Sequence, residues 1–142
     1  MNEYKQIHYQ AAGGVVVHEG KILVLERGSR GEIRLPKGHV EPGEDPRDAA
    51  KRETGEESGY TGLEIVADLG AQQHSFFNPY REALVTRDNH FYLMRLTGPQ
   101  LLPPEEQFVP KWLAPEQALA SLSFEEEREF VRRALRALEP ET

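Results

Sequence analysis

Residues 38–60 read GHVEPGEDPRDAAKRETGEESGY, a loop rich in glycine and proline that runs into an acidic helical pattern. Asp45 is a favourable N-cap, and Pro46 suits the first position of a helix because that position needs no backbone donor. Gly59 can end the helix in a left-handed conformation. The stretch therefore predicts a fixed, irregular loop followed by a helix from about Pro46 to Glu57.

The last turns of this helix carry three carboxylates on one side. An α-helix turns by about 100° per residue, so Glu53, Glu56 and Glu57 fall within an arc of about 100°. Like charges at this spacing weaken a helix, and the helix dipole disfavours anions near its C-terminal end. A solvated acidic surface is the ordinary explanation for such a face. The loop before it favours a divalent cation instead, because Mg²⁺ and Mn²⁺ prefer oxygen ligands and are often held by one or two carboxylates.

Apolar patterns on both sides of this stretch predict the remaining elements. YQAAGGVVVHEG and KILVLERG read as strands joined by a Glu19-Gly20 turn, and GLEIVADLGAQQHSFF, NHFYLMRL and VPKWL as three more. PEQALASL and FEEEREFVRRALRAL predict two helices, the second strongly amphipathic. We expect polar, irregular segments at residues 28–34 and 78–88. The order of elements indicates a mixed sheet flanked by helices.

The opening stretch resembles the signature of the Nudix hydrolases, the MutT-like family. That signature has glycine, glutamate and arginine at fixed spacings, which here are Gly38, Glu44, Arg52, Glu53, Glu56, Glu57 and Gly59. One apolar position of the signature is Thr54, which is β-branched and semi-polar. AAGGVVV, KILVLERG and VPKWLAPEQA extend the resemblance over about residues 10–138. It implies an α/β (α+β) class fold, an α/β/α sandwich with a mixed β-sheet, and a single domain spanning residues 1–142.

The resemblance also implies a metal site that binds Mg²⁺ or Mn²⁺. Glu53 and Glu57 are expected to be the main ligands, and Glu56 a further ligand or a proton acceptor. The backbone carbonyl of Gly38 is expected to join them. Physically, a divalent cation would neutralise a diphosphate, polarise the phosphorus under attack and lower the pKa of the attacking water.

Other acidic residues are expected to support the metal ligands or are candidates for an additional catalytic acid or base. By the same resemblance, Glu44 and Arg52 form an ion pair that orients the helix acids. The family often adds one more acidic residue outside the signature, as a base or ligand. Glu82 is the first candidate here and Glu105 or Glu106 the next, although a plain surface acid is the alternative for each.

Candidate substrate contacts lie outside the signature. Lys37, Arg27 and Arg34 could bind phosphates, and Tyr80 could stack on a base, as aromatic side chains do. Glu82 is a further candidate for contact with the substrate. The competing interpretations are that the basic residues are solvated loop charges and that the aromatic residue packs in the core.

The substrate class rests on weaker similarities. LPKGHVEPGE is similar to the diadenosine polyphosphate hydrolase branch and also to relatives that act on diphosphoinositol polyphosphates. REALVTRDNHFYLM loosely resembles the strand region of the diadenosine polyphosphate enzymes. We expect a pyrophosphohydrolase that acts on a diadenosine polyphosphate or a related nucleoside polyphosphate. ADP-ribose, a nucleotide sugar or a nucleoside triphosphate is the alternative substrate. A nucleotide-sensing module without catalysis is the alternative class, although such modules usually lose signature acids.

Composition narrows the range of partners. The chain has 142 residues, a formal net charge of −7 and no cysteine, which excludes disulfides and thiolate metal sites. The excess negative charge argues against nucleic acid as a partner. The sequence shows neither a signal peptide nor a membrane-length apolar run. We expect a cytoplasmic monomer or homodimer that binds a small-molecule nucleotide.

Overall fold

A mixed β-sheet runs through the centre of the computed structural model, which describes residues 4–140. Within that range the strands are β1 (Lys5–His18), β2 (Lys21–Arg27), β3 (Glu32–Arg34), β4 (Lys37–His39), β5 (Leu63–Asn78), β6 (Ala83–Leu96) and β7 (Val109–Leu113). The helices are α1 (Pro46–Ser58), α2 (Pro115–Ser121) and α3 (Glu125–Leu138), and Gly28–Arg30 forms a short 3-10 turn.

The strand order is β3-β2-β1-β6-β5, with β7 paired to β2 and β4 paired to β1. Strands β1 and β6 are parallel, and all other pairs in the described part of the chain are antiparallel. Strand β1 changes partner along its length. Ala11 to Gly13 pair with β4, whereas Val17 and His18 pair with β2. Strand β4 therefore lies against the middle of β1.

Helices cover both faces of the sheet, because successive side chains of a strand point to opposite sides. Val15 of β1 packs in a cluster with Phe130 of α3, and Val16 packs in a second cluster with Ala49 and Ala50 of α1. The small alanines let α1 lie close to the strands. The expected α/β/α sandwich with a mixed sheet is therefore confirmed.

Helix α1 has the predicted ends. The Asp45 side chain accepts a hydrogen bond from the Arg47 backbone N–H at 2.8 Å, and Gly59 has a φ of 84°. A Cβ on Gly59 would also lie 2.1 Å from the carbonyl oxygen of Leu102. Glycine is thus required there both by backbone conformation and by the close approach of the loop after β6.

Two segments predicted to be irregular are more regular than expected. Residues 28–34 contain the 3-10 turn and β3, and the loop that follows contains β4. Most of residues 78–88 belongs to β6, and only its first part turns between strands. The polar side chains pair across neighbouring strands: Asp88 accepts one hydrogen bond from Gln73 and lies 2.6 Å from His8.

Helix α3 buries an acid on its core side. Phe130, Val131 and Ala134 are buried as the amphipathic pattern predicts. Glu127 is also buried, at 1% exposure, and it accepts a hydrogen bond from the backbone N–H of Leu35 at 2.6 Å. The helix therefore anchors the chain just before β4. Within residues 4–140, no helix is long and apolar enough to cross a bilayer.

Gly55 lies inside α1, where glycine costs about 1 kcal/mol relative to alanine. A Cβ on Gly55 would meet its nearest neighbour, Thr61 Cγ2, at 3.4 Å, which is ordinary contact. We expect Gly55→Ala to stabilise the protein by about 0.5–1 kcal/mol in urea unfolding, with kcat/KM within twofold of the parent. A clear loss of activity would show that a ligand needs this backbone more closely than the structure indicates.

Candidate metal and phosphate site

A cavity of about 420 Å³ lies between α1, β4 and the part of β1 around Tyr9 and Ala11. It is lined by Tyr9, Ala11, Arg34, Lys37, Gly38, His39, Glu53, Glu57 and Arg87. Glu53 and Glu57 form its acid wall, and Lys37 and Arg87 form its cation wall. Five candidates from the sequence, Gly38, Glu53, Glu57, Lys37 and Arg34, are therefore brought together in one cavity.

Glu53 lies directly against the backbone of Gly38. A Cβ on Gly38 would be 2.1 Å from both the carboxyl carbon and Oε2 of Glu53. The other oxygen, Oε1, accepts a hydrogen bond from Arg52 Nη1 at 2.8 Å. Burial raises the pKa of Glu53 despite this pairing. The side chain is thus packed between an arginine and a glycine that leaves no space for a larger residue.

Glu57 is more deeply buried, with 7% exposure. Its Oε1 accepts a hydrogen bond from the backbone N–H of Lys37 at 2.8 Å, and its Oε2 lies 3.4 Å from Arg34 Nη2. Burial raises the pKa of Glu57 to about 7, against the opposing effect of Arg34. The folded protein therefore holds a carboxylate whose charge is only partly compensated.

Arg52 contacts three of the acids, Glu44, Glu53 and Glu56. It donates to both oxygens of Glu44, through Nε and Nη2, at 2.9 Å each. This bidentate pair lowers the pKa of Glu44 to about 2. Arg52 Nη2 also donates to the carbonyl of His39 at 3.0 Å, and Nη1 lies 3.4 Å from Glu56. The guanidinium of Arg52 thus connects α1 to β4 and to the loop that carries Glu44. The Glu44–Arg52 ion pair predicted from the sequence is present.

The donor set suits a hard divalent cation. Glu53, Glu57 and the Gly38 carbonyl offer only oxygen, and the close approach of Glu53 to Gly38 brings two of these groups side by side. Across residues 4–140, no group of three or more acidic or histidine side chains is already gathered as a metal site. Since Mg²⁺ commonly completes its shell with water and substrate phosphates, two carboxylates are sufficient. The residues present therefore fit Mg²⁺ or Mn²⁺.

The raised pKa of Glu57 predicts a pH-dependent cost in the metal-free protein. A carboxyl group with a folded-state pKa of about 7, against the ordinary pKa of 4.5, adds stability below pH 4.5 that is lost as the pH rises through 7. We expect metal-free Glu57→Gln to be more stable than the parent at pH 8, by roughly 2–3 kcal/mol, and to lose this advantage toward pH 5. Urea unfolding in EDTA at several pH values measures the difference. A difference that does not change with pH would contradict the assignment.

Other candidates lie outside the cavity. Arg27 is not among its lining residues; its guanidinium carbon lies 5.9 Å from the ring centre of Phe108. Tyr80 is 97% exposed in the turn between β5 and β6. Glu82 lies in the same turn, beside Ala83. Because the strand segment from Ala83 to Arg87 separates that turn from the cavity, Tyr80 and Glu82 lie roughly 13 Å or more from Arg87 along the sheet.

Glu105 is better placed than Glu82 for the additional acidic role. Its backbone N–H donates to the carbonyl of Glu57 at 3.2 Å. Its charge also contributes to raising the pKa values of Glu53 and Glu57. The loop after β6 thus brings a further carboxylate toward the acid wall.

Arg87, Tyr9 and Glu127 were not predicted from the sequence. Arg87 was placed in an irregular segment, but its parallel register with Tyr9 places both on one sheet face. Tyr9 stacks on His39, with ring centres 4.3 Å apart. For Arg87, the signal in the sequence was the alternation of apolar residues through residues 83–96, which indicates a strand. The polar residues of that segment obscured this alternation.

Comparisons with known proteins agree with this architecture. A family model described as the NUDIX domain matches residues 8–134. The chain is 30% identical over 135 residues to the "Putative mutator protein MutT4" of Mycobacterium tuberculosis, which covers 87% of this chain and 53% of that protein. It is 30% identical over 111 residues to the "Putative 8-oxo-dGTP diphosphatase" of Bacillus subtilis, over 77% of this chain and 68% of that one.

A solved structure of a related enzyme has a similar fold. The binary complex of a C. elegans Ap4A hydrolase superposes with a TM-score of 0.72 and 26% identity, covering 92% of this chain and 97% of that one. The chain spans about half the length of the M. tuberculosis relative. The family match includes the whole signature from Gly38 to Gly59, which confirms the resemblance inferred from the sequence.

Proposed function

The chain belongs to the Nudix family, and on that premise we propose that it is a metal-dependent pyrophosphohydrolase. The proposed reaction is attack of water on phosphorus in a phosphoanhydride bond of a nucleoside diphosphate linked to another group. The preferred substrate is a diadenosine polyphosphate or a related nucleoside polyphosphate.

One observation carries this proposal: a single cavity is lined by both acids and cations. Glu53 and Glu57 of α1 line it together with Lys37 of β4 and Arg87 of β6, and Arg34 lies 3.4 Å from Glu57. Carboxylates alone would repel a polyphosphate, and cations alone would not hold a metal ion. The combination suits a metal-bound phosphate chain, in which the metal meets the acids and free phosphate oxygens meet the cations.

The proposed mechanism assigns a task to each part of the site. Glu53, Glu57 and the Gly38 carbonyl would hold Mg²⁺ or Mn²⁺, and Arg52 keeps Glu53 in place. When bound, the metal supplies charge neutralisation and a lower pKa for water. A carboxylate at Glu56 or Glu105 takes the water proton as the new P–O bond forms. The bridging P–O bond breaks, and the leaving phosphate carries away the electron pair.

Two observations bear on the substrate. The solved C. elegans relative is an Ap4A hydrolase, and its 26% identity over most of both chains supports a dinucleotide polyphosphate. The B. subtilis relative is named for 8-oxo-dGTP, so a nucleoside triphosphate is the second candidate. ADP-ribose and nucleotide sugars have only two phosphates and would present fewer phosphate oxygens to Lys37 and Arg87. A non-catalytic nucleotide sensor is less suitable because every signature acid is present.

A substrate screen tests the proposal. Diadenosine polyphosphates, nucleoside triphosphates, oxidised dGTP, ADP-ribose, nucleotide sugars and diphosphoinositol polyphosphates are each assayed with Mg²⁺ and with Mn²⁺. We expect kcat/KM to be highest for a diadenosine polyphosphate. A tenfold preference for ADP-ribose or a triphosphate would overturn the substrate assignment. Absence of metal-dependent hydrolysis with every compound would overturn the assignment as an enzyme.

A further inference from the structure

Strand β5 forms an open edge of the sheet. It is 16 residues long and pairs with β6 alone. Two register shifts interrupt this pairing before Ala71, whereas residues 71–78 pair with β6 without interruption. Within residues 4–140, the backbone of residues 71–78 makes backbone hydrogen bonds to no other element. The outer side of this segment therefore presents free N–H and C=O groups over about 26 Å.

The other edge strands of the sheet are protected, and β5 is not. Proteins commonly protect an edge strand with lysine, with proline or by keeping it short. Strand β7 has five residues and carries Pro110 and Lys111, and β3 has only three residues. Residues 71–78 read AQQHSFFN and include no lysine, proline or formally charged side chain. The straight part of β5 thus lacks all of these protections.

Aromatic side chains lie along the same segment. Phe76 and Phe77 are 36% and 47% exposed and point to opposite faces of the sheet. Phe77 packs against Tyr4 with ring centres 5.0 Å apart, and both line an open cavity of about 370 Å³. The formal net charge of −7 opposes the association of two copies of this chain. An uncharged and partly apolar segment keeps that repulsion low where two copies would meet.

We propose that residues 71–78 of two chains pair with each other and join the two sheets into one. A twofold axis perpendicular to the sheet makes the two copies of the segment antiparallel. Pairing over the whole straight segment places the axis between His74 and Ser75. Arg81 then comes level with Asp68 of the partner subunit, and each of these side chains is exposed. The charges at both ends of the paired segment are therefore complementary. This dimer goes beyond the proposed function and does not depend on it.

The size of the contact indicates a reversible dimer. The paired edge is about 26 Å long and roughly 10 Å thick, and with the exposed parts of Phe76 and Phe77 it buries roughly 500 Å² on each chain. The total of about 1,000 Å² is at the lower limit for a specific interface. Backbone hydrogen bonds supply the affinity when one strand adds to another. We therefore expect a dissociation constant of about 10–100 µM.

Sedimentation velocity over a range of protein concentrations tests the dimer. We expect the parent to change from monomer to dimer between about 5 and 300 µM. Ser75→Lys places like charges beside the axis and should remain monomeric. Val66→Lys is the matched control, because Val66 is 53% exposed and lies at a register shift of the same strand, and it should behave as the parent. A parent that stays monomeric, or a dimer that Ser75→Lys leaves unchanged, would overturn the proposal.

Cross-linking locates the axis even if Ser75→Lys fails to fold in thermal denaturation. The chain has no cysteine, so a single introduced cysteine reports one position. Opposite residues of an antiparallel pair have Cα atoms about 4.5–5.5 Å apart, which a disulfide can span. Under mild oxidation at about 100 µM, we expect His74→Cys or Ser75→Cys to form a covalent dimer and Val66→Cys to stay monomeric. Equal cross-linking at all three positions, or none at His74 and Ser75, would reject the paired segment.

Discussion

Replacing Glu57 with glutamine is expected to lower kcat/KM about a thousandfold, which corresponds to about 4 kcal/mol of transition-state stabilisation. The change keeps the shape of the side chain and an acceptor for the Lys37 N–H, which lies 2.8 Å from Oε1. It removes the negative charge that a divalent cation would need. Glu53→Gln should act similarly, because Glu53 completes the acid wall. Steady-state kinetics across a range of Mg²⁺ concentrations measures both effects.

The stability of these variants distinguishes a functional defect from a folding defect. Glu57→Gln should be inactive yet at least as stable as the parent in EDTA at pH 8, because a buried, partly compensated charge has gone. Asp48→Asn is the control, since Asp48 is an exposed acid in the first turn of the same helix. Activity near the parent level in both Glu53→Gln and Glu57→Gln would reject the acid wall as the metal site.

Gly38→Ala is expected to lower kcat/KM about a hundredfold while leaving the fold intact. The added Cβ would lie 2.1 Å from Glu53 Cδ and Oε2, so the carboxylate must move. The obstructing atoms belong to the end of a flexible side chain, which can shift without unfolding the protein. A displacement of about 1 Å in a catalytic group can cost about a hundredfold in rate. Metal titration should show weaker Mg²⁺ activation in the same variant.

The matched control for this change is Gly98→Ala. A Cβ on Gly98 has no neighbour within 4 Å, so we expect activity and stability close to those of the parent. Unfolding of Gly38→Ala by urea should occur near the parent midpoint. A large drop in stability without any change in Mg²⁺ activation would show that Gly38 serves the fold and not the metal site.

The sequence was most informative where local physical chemistry decides the structure. The Asp45 cap, Pro46 and Gly59 act within a few residues, so the bounds of α1 followed from the sequence to within one residue at its end. The spacing of Glu53 and Glu57 on that helix also followed from helical geometry. The mixed sheet was predictable as a class from the order of strands and helices.

Only the tertiary structure decided that Arg87 joins Lys37 in the lining of the cavity. Arg87 reaches it through the parallel register of β6 with β1, and Glu127 anchors Leu35 from a helix that is distant in the sequence. Register depends on hydrogen bonds between strands far apart along the chain, which local patterns do not encode. For the same reason Tyr80 and Glu82, attractive by residue type, lie in a turn remote from the site. Thus the acids of this site and Lys37 could be found from the sequence, whereas Arg87 could be found only once the strands had been paired.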